Sequence, residues 1–319
     1  MMKNLNKISQ VINENDSFLI ASHYNPDGDA VGSMLAMGYL LKSLGKRISF
    51  FNESSLPDKF SWLEWPEPLS SEYIPGKQSW IIVLDCGDFE RSGSILPQMA
   101  VEPIINIDHH IGNPEFGSIN WVNTGSSSVG EMIAELADHL EVELSGPMAQ
   151  GIYLSLVSDT GFFSFGNTSA HSLELAARLV QNGINPGKIN PMILNQWTVG
   201  RLRLHGMAMD KATFHFGGKV GIISVTREML NQTRTTADDC EGLVSAVRNV
   251  KGVKVAVSIR EDEPGKIKFS LRSSEDVNVQ LMASDLGGGG HKNASGGILE
   301  GTMEQAHEKL MEVISRHLA

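Results

Sequence analysis

The sequence predicts an α/β protein: an N-terminal, doubly wound, mainly parallel sheet, then a smaller C-terminal α+β domain, with a cleft between them. Three observations carry this. Short apolar runs alternate with amphipathic segments in the first half, glycines stand where those segments stop, and the texture changes near residue 184.

The expected strands of the first part are SFLIAS (17–22), RISFFN (47–52), SWIIVLD (79–85) and PIINID (103–108). Each is a nearly continuous apolar run, which suits a parallel sheet covered on both faces. Helices are expected over 30–44, where Val31, Met34, Leu35, Met37, Gly38 and Leu41 recur at helical spacing, and over 127–140, 147–158 and 170–182. Gly45, Gly146 and Gly183 are their stop signals. Two Asn-Pro turns follow, so the expected division is 1–188, a connector over 189–211, and 212–319. The last part reads as strands near 212–216, 219–225, 252–260 and 266–272, with helices near 238–248, 277–285 and 303–318.

Composition narrows the class. The 319 residues are 41% hydrophobic and 20% charged, as in a soluble globular protein. No apolar run approaches the roughly 18 residues of a membrane span, and the N-terminus lacks the apolar core of a signal peptide, so a cytoplasmic location and no membrane partner are expected. Two cysteines, Cys86 and Cys240, are too few for a disulfide framework or a thiolate cluster, so any metal must take oxygen and imidazole ligands. The net charge of −11 argues against electrostatic wrapping around nucleic acid. Residues 1–210 hold 12 Lys and Arg against 23 Asp and Glu, whereas residues 211–319 hold 14 of each. Within 248–272 there are seven basic residues and three acids, as expected if one part collects cations and the other holds an anion.

Acids and histidines gather where the expected strands end. The first strand runs into His23, Asp27 and Asp29, the third into Asp85, and the fourth into Asp108, His109 and His110; Asp159 closes an apolar helix. Ligands of such sheets bind beyond the carboxyl ends of the strands. Four carboxylates brought together resist ionisation unless cations lie between them, and two divalent ions would balance Asp27, Asp29, Asp85 and Asp159. Oxygen with imidazole suits Mn²⁺, Mg²⁺ or Fe²⁺, and a metal pair is an arrangement used in phosphoryl hydrolysis. Singly, Asp27 and Asp29 also fit ordinary turn and helix-cap positions.

The stretches SHYNPDGDAVGS, VLDCGD, IDHH and SDTGFF, in this order, resemble the motifs of the DHH phosphoesterase superfamily, whose name matches Asp108-His109-His110. The resemblance implies that His23, Asp27 and Asp85 bind one metal, and Asp29, Asp85, His109 and Asp159 the other. It further implies that Asp108 orients an imidazole, that His110 faces the substrate phosphate, and that a metal-activated water attacks phosphorus in line.

The stretch DLGGGGHKNASGG (285–297) is the second informative one. Four glycines read as a tight turn whose backbone approaches an anion rather than as packing, and neither a Walker A nor a dinucleotide fingerprint is satisfied. Arg272, His291 and Lys292 stand near enough in sequence to complete a phosphate cradle. This ending is similar to the DHH-associated C-terminal domain, which implies that Arg272, His291 and the backbone of Gly287, Gly288, Gly289 and Gly290 grip a substrate phosphate. Asn293-Ala294-Ser295-Gly296 departs from that family's usual Ala-Ala-Gly, conservatively in size.

Within the superfamily the chain most resembles the nanoRNase and pAp phosphatase branch. That implies two divalent ions, probed first as Mn²⁺, and as substrates short single-stranded RNA oligonucleotides or 3′-phosphoadenosine 5′-phosphate (pAp). No protein partner is implied, although a homodimer is compatible with the sequence. The alternatives are a cyclic- or linear-dinucleotide phosphodiesterase, a single-strand exonuclease or an exopolyphosphatase of the same superfamily, and a non-catalytic nucleotide-binding protein. The last predicts loss of a metal ligand, and none is missing.

Overall fold

Short apolar runs become parallel strands here because both of their faces are covered. The computed structural model describes residues 2–274 and 277–318, and the chain divides into two units, residues 1–196 and 197–319.

The first unit runs α1 (Met2–Glu14), β1 (Ser17–Ser22), α2 (Gly28–Ser43), β2 (Arg47–Phe51), β3 (Leu69–Ser70), β4 (Trp80–Leu84), α3 (Ile95–Met99), β5 (Ile104–Asp108), β6 (Ile119–Val122), α4 (Val129–His139), α5 (Gly146–Asp159), α6 (Ala170–Gln181) and α7 (Pro186–Leu194). Along β1, Phe18 and Ile20 enter one core while Leu19 and Ala21 enter another. Along β4, Ile82 and Leu84 do the first, Ile81 and Val83 the second. That is the period-two alternation of a strand with two buried faces. The strands are parallel in the order β3-β2-β1-β4-β5-β6. The order reverses between β1 and β4, and in a doubly wound sheet the crevice outside the carboxyl ends at such a reversal is where ligands bind.

Two helices position that crevice. A Cβ on Gly32 of α2 would lie 2.4 Å from the Gly151 carbonyl oxygen, and one on Gly151 of α5 would lie 2.6 Å from the Gly32 carbonyl oxygen. The helices thus cross backbone against backbone, which brings the start of α2, with Asp29, to the end of α5, with Asp159. Gly151→Ala is expected to destabilise the first unit by about 1–3 kcal/mol, because the atoms it meets are backbone and cannot turn aside. A urea unfolding midpoint unchanged by this substitution would refute the close crossing.

The second unit runs α8 (Val199–Asp210), β7 (Thr213–His215), β8 (Val220–Val225), α9 (Arg227–Thr233), α10 (Leu243–Arg248), β9 (Val255–Glu263), β10 (Lys266–Ser273), α11 (Val279–Asp285), β11 (Gly289–His291), β12 (Ala294–Glu300) and α12 (Met303–Leu318). Its mixed sheet has the order β11-β12-β10-β9-β8-β7, with β8 and β9 parallel and the other pairs antiparallel. Val255, Val257, Ile267, Phe269 and Leu271 pack with α11 and α12 on one face; Ile223, Val225 and Ala256 pack with α8, α9 and α10 on the other. The stretch 189–211 is divided, with α7 in the first unit and α8 in the second. Among the described residues no helix is long and apolar enough to cross a membrane.

Two expectations change. The helix expected over 238–248 is interrupted at Gly242, whose φ of +92° ends the short turn Ala237–Cys240 before α10 begins. The glycine run is packed in part, at Gly288 and Gly290, while Gly287 and Gly289 are open. A Cβ on Gly288 would lie 2.3 Å from the Gly296 carbonyl oxygen and 3.1 Å from the Phe269 ring, and Gly289–His291 pairs with β12 as an edge strand.

Candidate metal centre

Each acidic motif is placed by a different local device. Asp27 caps α2: its Oδ1 accepts the N–H groups of Asp29 at 3.0 Å and Ala30 at 3.2 Å. The ordinary helix-cap role considered for it is therefore real, and its side chain stays 61% exposed. Asp29, in the first turn, is buried; it accepts from Val129 N–H at 2.9 Å and from Ser155 Oγ–H at 2.5 Å. Gly28 between them is required sterically, since a Cβ there would lie 2.0 Å from Ser158 Oγ, beside Asp159. Asp85 leaves β4 with a φ of +53°, a left-handed backbone that Asp tolerates better than most residues.

These residues converge. His23 Nε2 lies 3.9 Å from Asp27 Oδ1 and 3.8 Å from Asp85 Oδ2. His109 Nε2 lies 3.6 Å from Asp29 Oδ2, 3.7 Å from Asp85 Oδ1 and 3.7 Å from Asp159 Oδ2. These separations are too long for hydrogen bonds, so the groups face a shared space without satisfying one another. Donor atoms of three sets, His23 with Asp27 and Asp85, Asp29 with His109 and Asp159, and Asp85 with His109 and His110, each lie within 4.8 Å of one another. Asp85 thus turns one oxygen toward each half.

The remaining nitrogens are held from behind. His23 Nδ1 meets the Tyr24 carbonyl at 2.8 Å and His109 Nδ1 the Ser126 carbonyl at 3.1 Å, which assigns the proton to Nδ1 and leaves each Nε2 a lone pair directed at the acids. Asp108 Oδ1 accepts from His110 Nδ1 at 2.8 Å, and its Oδ2 accepts from Asn113 Nδ2 at 2.6 Å. Asn167 Nδ2 donates to Asp159 Oδ2 at 3.1 Å. Ser155, Asn113 and Asn167 were not read from the sequence: Ser155 is 126 positions from Asp29, whereas Asn113 and Asn167 lie five and eight positions from their aspartates in loops whose path a lone asparagine does not announce.

Electrostatics test whether cations fit. Burial, followed by the charges of Asp29, Asp27, Asp108 and Asp159, pushes the Asp85 carboxyl well above its ordinary value. Burial raises Asp29 to about 7 against the opposing pull of His109 and Ser155, and burial also raises Asp159. Asp27 goes the other way, to about 2: burial pushes upward but is outweighed by His23 and the N–H groups of Ala30 and Asp29. Asp85 Oδ1 is buried with no hydrogen-bond partner among the described residues. A buried, unpartnered carboxylate oxygen amid like charges is a site that suits positive charge. Cys86 is turned elsewhere: its Sγ–H donates to the Asp88 carbonyl at 2.9 Å, and burial pushes the thiol up to about 12.

The anion-holding set expected from the glycine-rich ending lies in the second unit. His291 pairs with Ala294, and Ala294 with Arg272, so the three share one row across the sheet. Arg272 is partly buried, and burial together with the neighbouring Arg248 charge pulls it below its usual value. Gly287 and Gly290 take φ of +75° and +137°, and Gly289 has open space where a side chain would be.

Comparison with known proteins agrees with both halves. Residues 17–156 match the DHH family, N-terminal domain, and residues 217–319 match the DHHA1 domain. The chain is 32% identical, over 94% of its length and 89% of the relative's, to the bifunctional oligoribonuclease and PAP phosphatase NrnA of Thermus thermophilus. It is 28% identical, over 88% of each chain, to the protein of the same name from Bacillus subtilis. Among solved structures, an exopolyphosphatase-related protein from Bacteroides fragilis superposes with a TM-score of 0.87 at 25% identity, covering 99% of this chain and 96% of that one. This chain belongs to the DHH family, carrying its N-terminal domain followed by a DHHA1 domain.

Proposed function

We propose that the chain is a phosphoesterase dependent on two divalent ions, Mn²⁺ foremost with Mg²⁺ or Fe²⁺ as alternatives, that hydrolyses short oligoribonucleotides to mononucleotides and pAp to AMP and phosphate. The observation that carries this is Asp85: a buried carboxylate with one oxygen toward His23 and the other toward His109, the latter with no hydrogen-bond partner among the described residues. His23, Asp27 and Asp85 would hold one ion, and Asp29, Asp85, His109 and Asp159 the other. When bound, such ions supply positive charge to phosphoryl oxygens and lower the pKa of water.

The protein's own groups do the rest. Nδ1 of both His23 and His109 is occupied by a carbonyl, so neither ring can rotate without losing that bond. Asp108 holds His110 through Nδ1, which leaves Nε2 of His110 for a phosphate oxygen. In the second unit, Arg272 and His291 stand two strands apart, roughly 10 Å at ordinary strand spacing, with only Ala294 between them in the row. Small residues there leave room for a phosphate, whose charge would relieve the cost of keeping Arg272 partly buried beside Arg248. The relatives named for oligoribonuclease and PAP phosphatase activity support this substrate class.

Purified protein, treated with EDTA and then supplied with Mn²⁺, is expected to release mononucleotide from a labelled diribonucleotide and phosphate from pAp only after the metal is added. Hydrolysis of polyphosphate or cyclic dinucleotides with neither of these substrates turned over would replace the proposed substrate class. Failure on every phosphoester would leave a nucleotide-binding protein.

A further inference from the structure

Two aromatic side chains stand bare in the loops that supply the acid cluster, and each is mounted on constrained backbone. After Asp159, Gly161, Phe162 and Phe163 take φ of +54°, +55° and +63° in succession. Left-handed backbone is costly for residues with a Cβ, and sparsely populated conformations persist where the surroundings enforce them, characteristically at functional sites. This turn is enforced. Phe162 N–H donates to the Val157 carbonyl at 2.8 Å, Phe163 N–H to Thr160 Oγ1 at 3.1 Å, and Phe165 N–H to the Thr160 carbonyl at 3.0 Å. Phe162 and Phe163 pack against the core. Phe165 does not: its ring lies over Gly161, where a Cβ would come within 2.5 Å of it, and the side chain remains 58% exposed. Asn167, two residues on, bonds Asp159 itself.

Tyr24 repeats the arrangement at the other half of the cluster. Its carbonyl accepts from His23 at 2.8 Å and its N–H donates to the Arg91 carbonyl at 2.6 Å. Asn25, next in the chain, has a φ of +53° and donates its N–H to Ser54 Oγ at 2.7 Å. The backbone is fixed while the ring is 48% exposed. Each half of the acid cluster is thus supplied by a loop of constrained backbone that carries one exposed aromatic ring: Tyr24, next in the chain to His23, and Phe165, six residues after Asp159.

We infer that Tyr24 and Phe165 are stacking platforms for the nucleobases on either side of the phosphate held at the acid cluster. This rests on the nucleotide-hydrolase reading above and adds its base-recognition element. Every base has a π-face, so two rings and no base-edge readout grip a dinucleotide without regard to sequence. A dinucleotide is the occupant that fits, because it carries a base on each side of one phosphate, and the two aromatic-bearing loops are the ones that supply the acid cluster.

The test uses the full chain with Mn²⁺, an intact diribonucleotide, and the same sugar–phosphate with both bases removed. Phe165→Ala and Tyr24→Ala are each expected to lower kcat/KM on the intact substrate about 5- to 150-fold, mainly through KM. Phe165→Trp restores most of it, and the ratio of wild type to alanine variant falls to near one on the abasic substrate. Equal losses on intact and abasic substrates would mean that the rings only maintain the loops, and no loss on either would mean that they bind nothing; both overturn the inference. Wild-type protein that cleaves the intact dinucleotide while the variants show no base dependence leaves the proposed function standing and removes only the platforms. Wild-type protein that cleaves neither and releases no phosphate from pAp removes both.

Discussion

Asp85→Asn is expected to abolish hydrolysis, lowering kcat by at least about 10³-fold, and at the same time to stabilise the metal-free chain. The carboxylate is buried, one of its oxygens has no partner among the described residues, and burial with four neighbouring aspartates raises its pKa. In the absence of cations its charge is a liability. Asparagine keeps the size, tolerates the left-handed backbone at this position, and removes the charge. The gain should be about 0.5–2 kcal/mol, read as a raised thermal midpoint in EDTA. A variant that is less stable in EDTA and still hydrolyses would show that Asp85 serves the fold rather than a metal pair.

The acid cluster was legible because its members are few and fall at strand ends. VLDCGD and IDHH follow runs whose burial on both faces leaves a strand as the natural reading, and strand ends on one edge of a parallel sheet must be neighbours. Asp27 and Asp29 were ambiguous in sequence and are partly so in fact, since Asp27 caps α2 while facing His23. The supporting residues were illegible for a physical reason. Ser155 lies on an apolar helix, and nothing local says that α2 and α5 cross at Gly32 and Gly151 closely enough for its hydroxyl to reach Asp29.

Two of the overlooked elements, β6 and β12, have weak or masked patterns. β6, Ile119–Val122, is a four-residue edge strand with only Trp121 buried, so it has neither a continuous run nor a full alternation. β12, Ala294–Glu300, carries two glycines that lower strand propensity, yet Gly296 is where the chain passes close to Phe269 and Gly288. α1 did carry a signal: Leu5, Ile8 and Ile12 recur at helical spacing and are all buried. The helix expected over 238–248 failed at Glu241-Gly242, where apolar periodicity continues through a residue whose φ is positive.

The metal-free chain is expected to lose stability as pH rises from about 4 through 7, and divalent metal to restore it, more so at high pH. Asp29 sits near 7, and Asp85 and Asp159 are raised as well, all above the roughly 4 of an unfolded aspartate. An acid with a raised folded pKa binds its proton more tightly when folded, so its contribution is complete below the unfolded pKa and is lost as pH climbs through the folded one. His23 and His109 act in the same direction. Burial lowers them but is outweighed, for His23 by Asp27 and the Tyr24 carbonyl and for His109 by Asp29 and the Ser126 carbonyl, so their contribution is present below about 6.5 and lost above the raised folded value. Asp27, depressed to about 2, contributes above pH 4 and loses its contribution only as pH falls toward 2, outside this window. Metal binds the deprotonated carboxylates and neutral imidazoles, so protons compete with it. At a hundred times its dissociation constant, one bound ion adds about 2.7 kcal/mol. Thermal midpoints at pH 5, 6, 7 and 8, in EDTA and in Mn²⁺, should therefore diverge as pH rises, and Asp29→Asn should flatten the EDTA series. A metal-induced shift independent of pH, or an EDTA midpoint that climbs between pH 5 and 7, would mean that these carboxylates are satisfied by the protein alone and that the cluster has no need of cations.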